Sequence, residues 1–307
     1  MNIRLLYWLL RRKRFYFSLA LLGFLAFAYK FLEFRQSNAI LKKELREGNP
    51  FNWQATFRYY AESKRKIRYL EIGNDTKPLI VFIHGAPSSI SFWNDLLTDS
   101  TLLSKAKLMA VDRPGYGYSG YGRPEISVKE QARLIAQVLL QKRNVFNKII
   151  LHGSSYGGTV AARIAMDYPN LVDGLLLQSA SVEPGAETTY DISYITTHWA
   201  FEWLVPGAFK VANHEKLSHR KQLELMRPFW SRVIAPTIIL QGDADELIFP
   251  SNANYAEKQL INACSVEKLI ARGSGHDLLW TRRELLIASL MKLLGDTTYN
   301  NLNLFNR

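Results

Sequence analysis

Cysteine is nearly absent from this sequence, and its scarcity limits how the fold can be held together. The 307 residues include one cysteine, Cys264. A single cysteine cannot form an intramolecular disulfide, so the fold must be stabilised by packing alone. With 48% hydrophobic residues, the chain is long enough and apolar enough to bury one large core or two modest ones.

Sequence patterns for cofactors and metals are also missing. The chain has no metal-ligand spacing, no dinucleotide-binding glycine loop and no Walker motif. Each of these motifs supplies the ligands that its cofactor or metal needs. The sequence therefore implies no cofactor and no metal. Internal repeats and low-complexity tracts are absent as well, which argues against a repeat architecture.

Positive charge is concentrated near the N-terminus. The net charge is +12, and residues 1–72 hold 15 of the 39 basic residues but only 5 of the 27 acidic residues. The rest of the chain is therefore close to neutral and offers no basic stripe. Nucleic-acid binding, which depends on neutralising phosphates, is not expected.

An apolar run follows the basic N-terminal segment. A basic cluster at residues 11–14 precedes 15 uncharged residues, 15–29, and further apolar residues extend the run to residue 34. Because about 20 apolar residues span a bilayer, we interpret residues 1–34 as a basic segment and a single-pass transmembrane anchor. The alternative is a cleaved signal peptide, which would make the protein secreted or periplasmic.

The basic residues on both sides of this run bear on its orientation. As many follow the run as precede it within a comparable distance, but the preceding cluster is tighter and free of acidic residues. Basic residues are retained on the cytoplasmic side of a membrane. We therefore expect an N-terminus inside and the main domain outside the cytoplasm.

Strand-like and helix-like segments alternate from residue 67 onward. Residues 35–66 are polar, basic and dotted with aromatic residues, and we interpret them as a connector. The alternation over residues 67–307 predicts an α/β domain, with a mostly parallel sheet covered by helices on both faces. Functional residues of such sheets lie at the carboxyl ends of the strands. One long insertion, at about 183–232, interrupts the pattern.

A pentapeptide between a predicted strand and a predicted helix contains a candidate nucleophile. Its sequence is Gly153-Ser154-Ser155-Tyr156-Gly157. A serine on so tight a turn exposes its Oγ, and the flanking glycines leave room for the backbone. The alternative is an ordinary glycine-rich turn. An aspartate and a histidine follow downstream, each after a predicted strand, and this context favours Ser155 as a nucleophile.

Four segments together resemble the α/β-hydrolase superfamily, in its serine-nucleophile branch with a short cap domain. They are HGAP at 84–87, DRPGYGYS at 112–119, GSSYG at 153–157 and GSGH at 273–276, with GDAD at 242–245 before the last. The resemblance covers about residues 67–307. It implies the α/β-hydrolase fold, with residues 183–232 as a small helical cap. Serine at the turn argues against the epoxide-hydrolase branch, whose nucleophile is aspartate.

A serine nucleophile needs a base and a carboxylate that orients the base. Among the six histidines, His276 is the best candidate base because it follows the last predicted strand in a Gly-Ser-Gly turn. For the carboxylate, the resemblance selects Asp245, the third residue after Gly242. Asp243 stays an alternative because the segment after Asp245 is one residue longer than in many relatives.

The resemblance also implies an oxyanion hole formed by the backbone N–H groups of Ala86 and Tyr156. In the cap insertion, Trp199 and Trp203 are expected to line an apolar pocket above Ser155. The sequence thus predicts a membrane-anchored serine hydrolase that cleaves a small, apolar ester through an acyl-enzyme. The alternatives are an amide or C–C bond hydrolase with the same residues, or a catalytically silent relative that binds a small molecule or a protein.

Overall fold

One eight-stranded sheet organises the chain, in the strand order β1-β2-β4-β3-β5-β6-β7-β8. The structure, a computed structural model, describes residues 3–301. The strands are β1 (Thr56–Glu62), β2 (Arg65–Ile72), β3 (Leu79–Ile83), β4 (Lys107–Val111), β5 (Ile149–Ser154), β6 (Gly174–Gln178), β7 (Thr237–Gly242) and β8 (Val266–Ala271). β2 pairs antiparallel with β1 and β4, and all other neighbours are parallel.

Helices cover both faces of this sheet. The α-helices of the described chain are α1 (Ile3–Phe31), α2 (Asn38–Gly48), α3 (Asn94–Leu97), α4 (Ser100–Lys105), α5 (Val128–Arg143), α6 (Tyr156–Asp167), α7 (Ile192–Thr196), α8 (Gly207–Met226), α9 (Ser251–Gln259), α10 (Leu278–Thr281) and α11 (Arg283–Leu294). Short 3-10 helices occupy Ile90–Trp93, Pro169–Leu171, Glu202–Leu204, Arg227–Arg232 and Thr297–Tyr299.

The central strands are buried at every position, because both of their faces meet helices. Along β3, Ile80 and Phe82 join the core on one face, whereas Val81 and Ile83 join the core on the other. This alternation follows the two-residue period of a strand. The predicted α/β class, with a mostly parallel sheet between two helical layers, is confirmed.

The N-terminal segment differs from its prediction. α1 is a 29-residue helix, and its described large apolar side chains between Phe15 and Phe31 are exposed. Within residues 3–301, however, no helix combines the length and the apolar character that crossing a membrane requires. The predicted transmembrane helix is therefore not confirmed.

The predicted connector, residues 35–66, is part of the folded domain. α2 buries Leu41 and Leu45, which lie one turn apart on the same helix face. β1 pairs with β2 along its whole length, from Thr56 opposite Glu71 to Glu62 opposite Arg65. The connector interpretation was wrong because an edge strand is only partly buried and lacks the apolar run that identifies a central strand.

The insertion at 183–232 lies between β6 and β7 and contains α7 and α8. α8 is the longer of the two, at 20 residues. It buries Glu215 and His219 together with apolar side chains such as Leu223. Buried polar side chains on a helix need partners elsewhere, and both find them near the carboxyl edge of the sheet.

Candidate active site

Ser155 occupies a strained turn between β5 and α6. Its backbone angles are φ 54° and ψ −124°, a conformation that residues other than glycine rarely adopt. Such strain costs about 1–3 kcal/mol and persists only where the surroundings impose it. Here the Ser155 N–H donates to the Gln178 carbonyl at 3.0 Å, and the Ser155 carbonyl accepts from the Gly158 N–H at 2.9 Å. The turn therefore holds the serine at the carboxyl end of β5.

The second glycine of the pentapeptide allows this turn to approach β3. A Cβ atom at Gly157 would lie 2.1 Å from the Ile83 carbonyl oxygen and 2.5 Å from that of His84. No side chain fits at those distances. Glycine at position 157 is therefore a requirement of packing.

Asp245 and His276 form the pair that the sequence predicted. Asp245 follows β7 and His276 follows β8, and His276 Nδ1 lies 2.8 Å from Asp245 Oδ2. The other carboxylate oxygen accepts backbone N–H groups from Leu247 at 3.0 Å and Ile248 at 2.9 Å. The loop between β7 and α9 thus fixes the carboxylate against the imidazole.

The charge of this carboxylate determines the tautomer of the histidine. Burial acts to raise the pKa of Asp245, but the hydrogen bond and charge of His276, together with the two backbone N–H groups, outweigh it and lower the pKa. An ionised carboxylate only accepts hydrogen bonds, so Nδ1 of His276 must be the donor. Nε2 is then left free to exchange a proton with a substrate or a nucleophile.

The alternative carboxylate, Asp243, has a different role. It is exposed, and its Oδ1 accepts the Gly273 N–H at 2.7 Å. This contact braces the loop that leads to His276. Asp243 is not brought to the imidazole, whereas Asp245 is.

Two cavities meet at Ser155 and His276. We call the first the aromatic cavity; it has a volume of about 510 Å³ and is lined by Phe34, Phe92, Trp280 and Leu247. We call the second the cap cavity; it has a volume of about 340 Å³, and its walls include Tyr190, Phe209, Glu187 and Lys216. Ser155 lines both cavities, and within residues 3–301 no hydrogen bond of its Oγ is seen.

The loop after β3 lies directly against Ser155. A Cβ atom at Gly85 would lie 3.0 Å from Ser155 Cβ and 3.5 Å from Ser155 Oγ. The next residue, Ala86, lines both cavities, and Tyr156 lines the cap cavity. Arg113 Nε donates to the His84 carbonyl at 2.7 Å, and Arg113 Nη2 donates to the Gly85 carbonyl at 2.9 Å. The backbone of this loop, predicted to supply an oxyanion hole, is therefore held beside the serine.

The tryptophans predicted to line a pocket are elsewhere. Trp199 is 81% exposed and Trp203 is 75% exposed, and neither lines the aromatic cavity or the cap cavity. That prediction was wrong because the aromatic content of an insertion does not reveal which side chains point inward.

The aromatic residues that do line the aromatic cavity were not predicted from the sequence. Phe34 was assigned to the anchor, and Phe92 and Trp280 belong to short helices without periodic patterning. Their positions along the chain could have indicated this role. Phe92 follows β3 and Trp280 follows β8, so both lie at the edge of the sheet where ligands of α/β folds bind.

The cap cavity has a charged wall formed by Glu187 and Lys216. Lys216 Nζ lies 3.0 Å from one carboxylate oxygen of Glu187, and buried His219 lies 2.9 Å from the other. Burial acts to raise the pKa of Glu187, but the charge and hydrogen bond of His219, with Lys216 and Ser181, lower the pKa to about 2. Among residues 3–301, no cluster of His, Cys, Asp or Glu is suited to hold a metal ion.

The fold and the serine turn define an α/β hydrolase, and comparison with known proteins agrees. The sequence profile of the alpha/beta hydrolase family matches residues 80–288. The chain belongs to this family.

Named relatives include both esterases and other hydrolases. The chain is 30% identical to epoxide hydrolase 1 of Caenorhabditis elegans over 172 residues, which is 55% of this chain and 40% of the relative. It is 35% identical to the pimeloyl-[acyl-carrier protein] methyl ester esterase of Proteus mirabilis over 113 residues, 37% of this chain and 40% of the relative. The chain thus spans less than half the length of these relatives.

A solved structure with the same fold covers nearly the whole chain. It is a bacterial membrane phospholipase A, which aligns with 94% of this chain and 99% of its own length at a TM-score of 0.61 and 22% identity. At this identity the likeness shows the fold alone.

Proposed function

We propose that the protein is a serine hydrolase that cleaves a carboxylic ester through an acyl-enzyme. The observation that carries this proposal is the Asp245–His276 hydrogen bond of 2.8 Å at the same cavities that Ser155 faces. These are the nucleophile, base and orienting carboxylate that acyl transfer requires. Esters are favoured over amides and C–C bonds because one relative's name specifies an ester.

In the proposed reaction, His276 Nε2 takes the proton of Ser155 Oγ while that oxygen attacks the ester carbonyl. The backbone N–H groups of Ala86 and Tyr156 donate to the oxyanion, each lowering the barrier by about 2.7–4 kcal/mol. His276 then gives the proton to the departing alcohol, and water releases the acid from the acyl-enzyme by the same steps. The reaction requires Ser155 Oγ to come within hydrogen-bond distance of His276 Nε2 in the substrate complex.

The resemblance to an epoxide hydrolase does not favour epoxide opening here. The turn between β5 and α6 carries serine and not aspartate, and in the proposed reaction the Ala86 and Tyr156 N–H groups serve the attack of this serine on a carbonyl. A catalytically silent binding protein is disfavoured, because binding alone does not require the backbone strain at Ser155.

The proposal includes attachment to a membrane through α1. Large aromatic and aliphatic side chains from Phe15 to Phe31 are exposed on that helix, and a basic cluster at 11–14 precedes them. Such a helix gains free energy by burying its apolar side chains among lipids.

Replacement of the nucleophile tests the enzymatic proposal. Ser155→Ala is expected to abolish both p-nitrophenyl ester turnover and labelling by a fluorophosphonate, because the attacking oxygen is gone. Ser104→Ala, at an exposed serine of α4, serves as the control and should retain both. Labelling of Ser155→Ala at the wild-type level would refute the assignment.

A further inference from the structure

The cap carries an exposed hydrophobic surface that no part of the described chain covers. We define the cap patch as residues 190–204, which include α7 and the 3-10 helix at Glu202–Leu204. Eight large hydrophobic side chains in this segment are between 49% and 81% exposed, among them Tyr194, Trp199 and Trp203. Contiguous surfaces of this kind on a folded domain mark contact with a partner or a membrane.

Several polar side chains of the cap patch are hydrogen-bonded within the protein. Ser193 Oγ donates to Asn213 Oδ1 at 3.0 Å, and Asn213 Nδ2 donates to Thr196 Oγ1 at 2.8 Å, so α7 is fastened to α8. Trp203 Nε1 donates to the Ala200 carbonyl at 2.9 Å. Because its N–H group is already paired, this indole can enter an apolar phase without losing a hydrogen bond to water.

The charges of the cap patch favour contact with a lipid surface that has no net charge. Residues 190–204 contain no lysine or arginine, and their acidic residues are Asp191 and Glu202. Glu202 is paired with Lys210 at 3.0 Å and with His214 at 2.6 Å. The patch therefore offers no attraction to anionic headgroups, and its aromatic side chains are of the type that lies at a bilayer interface.

The cap patch is continuous with the active site and with the end of α1. Tyr190 and Ser193 belong to the patch and also line the cap cavity at Ser155. Phe209, on the next helix, lines the same cavity, and its ring lies 5.7 Å from the ring of Phe34, just after α1. The segment after α1, the start of the cap patch and the two cavities thus adjoin one another.

We propose that the cap patch is a second membrane-contacting surface, which inserts its aromatic side chains into the interface of a zwitterionic bilayer and opens the cap cavity toward it. The substrate is then an ester dissolved in the bilayer, which reaches Ser155 without passing through bulk water. This proposal rests on the proposed esterase function for its substrate, but the bilayer contact itself can be measured without turnover.

Site-specific fluorescence in the full-length chain tests the contact. A Trp199→Cys variant in a Cys264→Ser background is labelled with an environment-sensitive nitrobenzoxadiazole dye and mixed with phosphatidylcholine vesicles. Its emission is expected to shift to the blue and to keep that shift at high salt. The matched control is Ile261→Cys in the same background, since Ile261 is 72% exposed just before β8, at the amino end of the strands.

The possible outcomes distinguish a bilayer from other partners of the cap patch. A shift at position 199 and none at position 261 supports the proposal. No shift at position 199 overturns it, as does a shift that follows protein concentration in the absence of vesicles, which would identify a second copy of the chain as the occupant.

A kinetic comparison then tests delivery of the substrate. Trp199→Ser/Trp203→Ser is expected to lower turnover of a long-chain ester in phosphatidylcholine vesicles by about tenfold or more, because the apolar area that draws the cap to the bilayer is lost. Turnover of soluble p-nitrophenyl butyrate should stay within about twofold, as for the control Val145→Ser/Ile261→Ser. An equal loss on both substrates would place the tryptophans in the site and refute the inference. Inactivity of the wild type on both substrates would instead refute the proposed function.

Discussion

Arg113 and Glu215 form a fully buried ion pair with two contacts, Nη1 to Oε1 at 2.6 Å and Nη2 to Oε2 at 3.1 Å. Arg113 lies in the loop after β4, and Glu215 lies on α8 of the cap. Tyr116 and Gln131 also donate to Glu215, at 2.6 and 2.7 Å. Because Arg113 holds the carbonyls of His84 and Gly85 as well, one network joins the cap to the loop that faces Ser155.

We expect Glu215→Ala to destabilise the protein by about 3–5 kcal/mol, because it leaves the guanidinium of Arg113 buried without a counter-charge. The change is measured as the free energy of unfolding in urea. Glu224→Gln, on the same helix, is the control: its pair with Arg220 is exposed and 3.4 Å long, so its loss should cost less than about 1 kcal/mol. A similar cost for both variants would show that the buried network adds no stability.

The sequence was sufficient to predict those parts of the fold and site that depend on local backbone geometry. The turn at Ser155 follows from glycines that must sit close to neighbouring backbone, and that requirement is visible as a motif. The central strands were predictable because burial on both faces demands continuous apolar runs. Asp245 and His276 were placed by the loops that follow two such strands.

Other features could not be predicted from the sequence because they depend on tertiary structure. β1 is a partly buried edge strand, so its sequence resembles that of a solvent-exposed segment. Trp199 and Trp203 could not be placed inside or outside from composition alone. Phe34 lines the aromatic cavity only because the chain after α1 folds back over the carboxyl edge of the sheet, a contact between segments that are far apart in sequence.

The two aspartates after β7 should differ sharply in catalysis. Asp245→Asn is expected to lower kcat for a soluble p-nitrophenyl ester by about 10⁴-fold, because the amide no longer holds His276 in the tautomer with a free Nε2. Asp243→Asn should change kcat little, since Asp243 contacts the Gly273 N–H and not the imidazole. The reverse ranking would move the orienting role to Asp243.

Glu187 should make the stability of the cap depend on pH under acidic conditions. Its pKa of about 2 lies below the ordinary value of 4.5, so between these values the unfolded chain binds a proton that the folded chain does not. The resulting stabilisation is complete above about pH 5 and is lost as the pH falls toward 2, with a size of roughly 3 kcal/mol.

Glu187→Gln tests this dependence. The free energy of unfolding of the variant should fall less between pH 5.5 and pH 3 than that of the wild type, whereas Glu224→Gln should follow the wild type. Parallel curves for Glu187→Gln and the wild type would show that Glu187 titrates normally in the folded protein.

The aromatic cavity should set the preference for acyl chain length. Each methylene buried against Phe92, Trp280 and Leu247 contributes up to about 0.8 kcal/mol, and a cavity of about 510 Å³ accommodates chains well beyond acetate. For soluble p-nitrophenyl esters, kcat/KM is expected to rise from two-carbon to roughly six- or eight-carbon chains.

Trp280→Ala should flatten this rise in kcat/KM while leaving acetate turnover in place, because it removes part of the cavity wall. Trp199→Ala, at a position that lines neither cavity, should keep the full rise. A steady fall in kcat/KM from acetate upward would mean that the acyl chain does not enter the aromatic cavity, and the leaving group would then be its occupant.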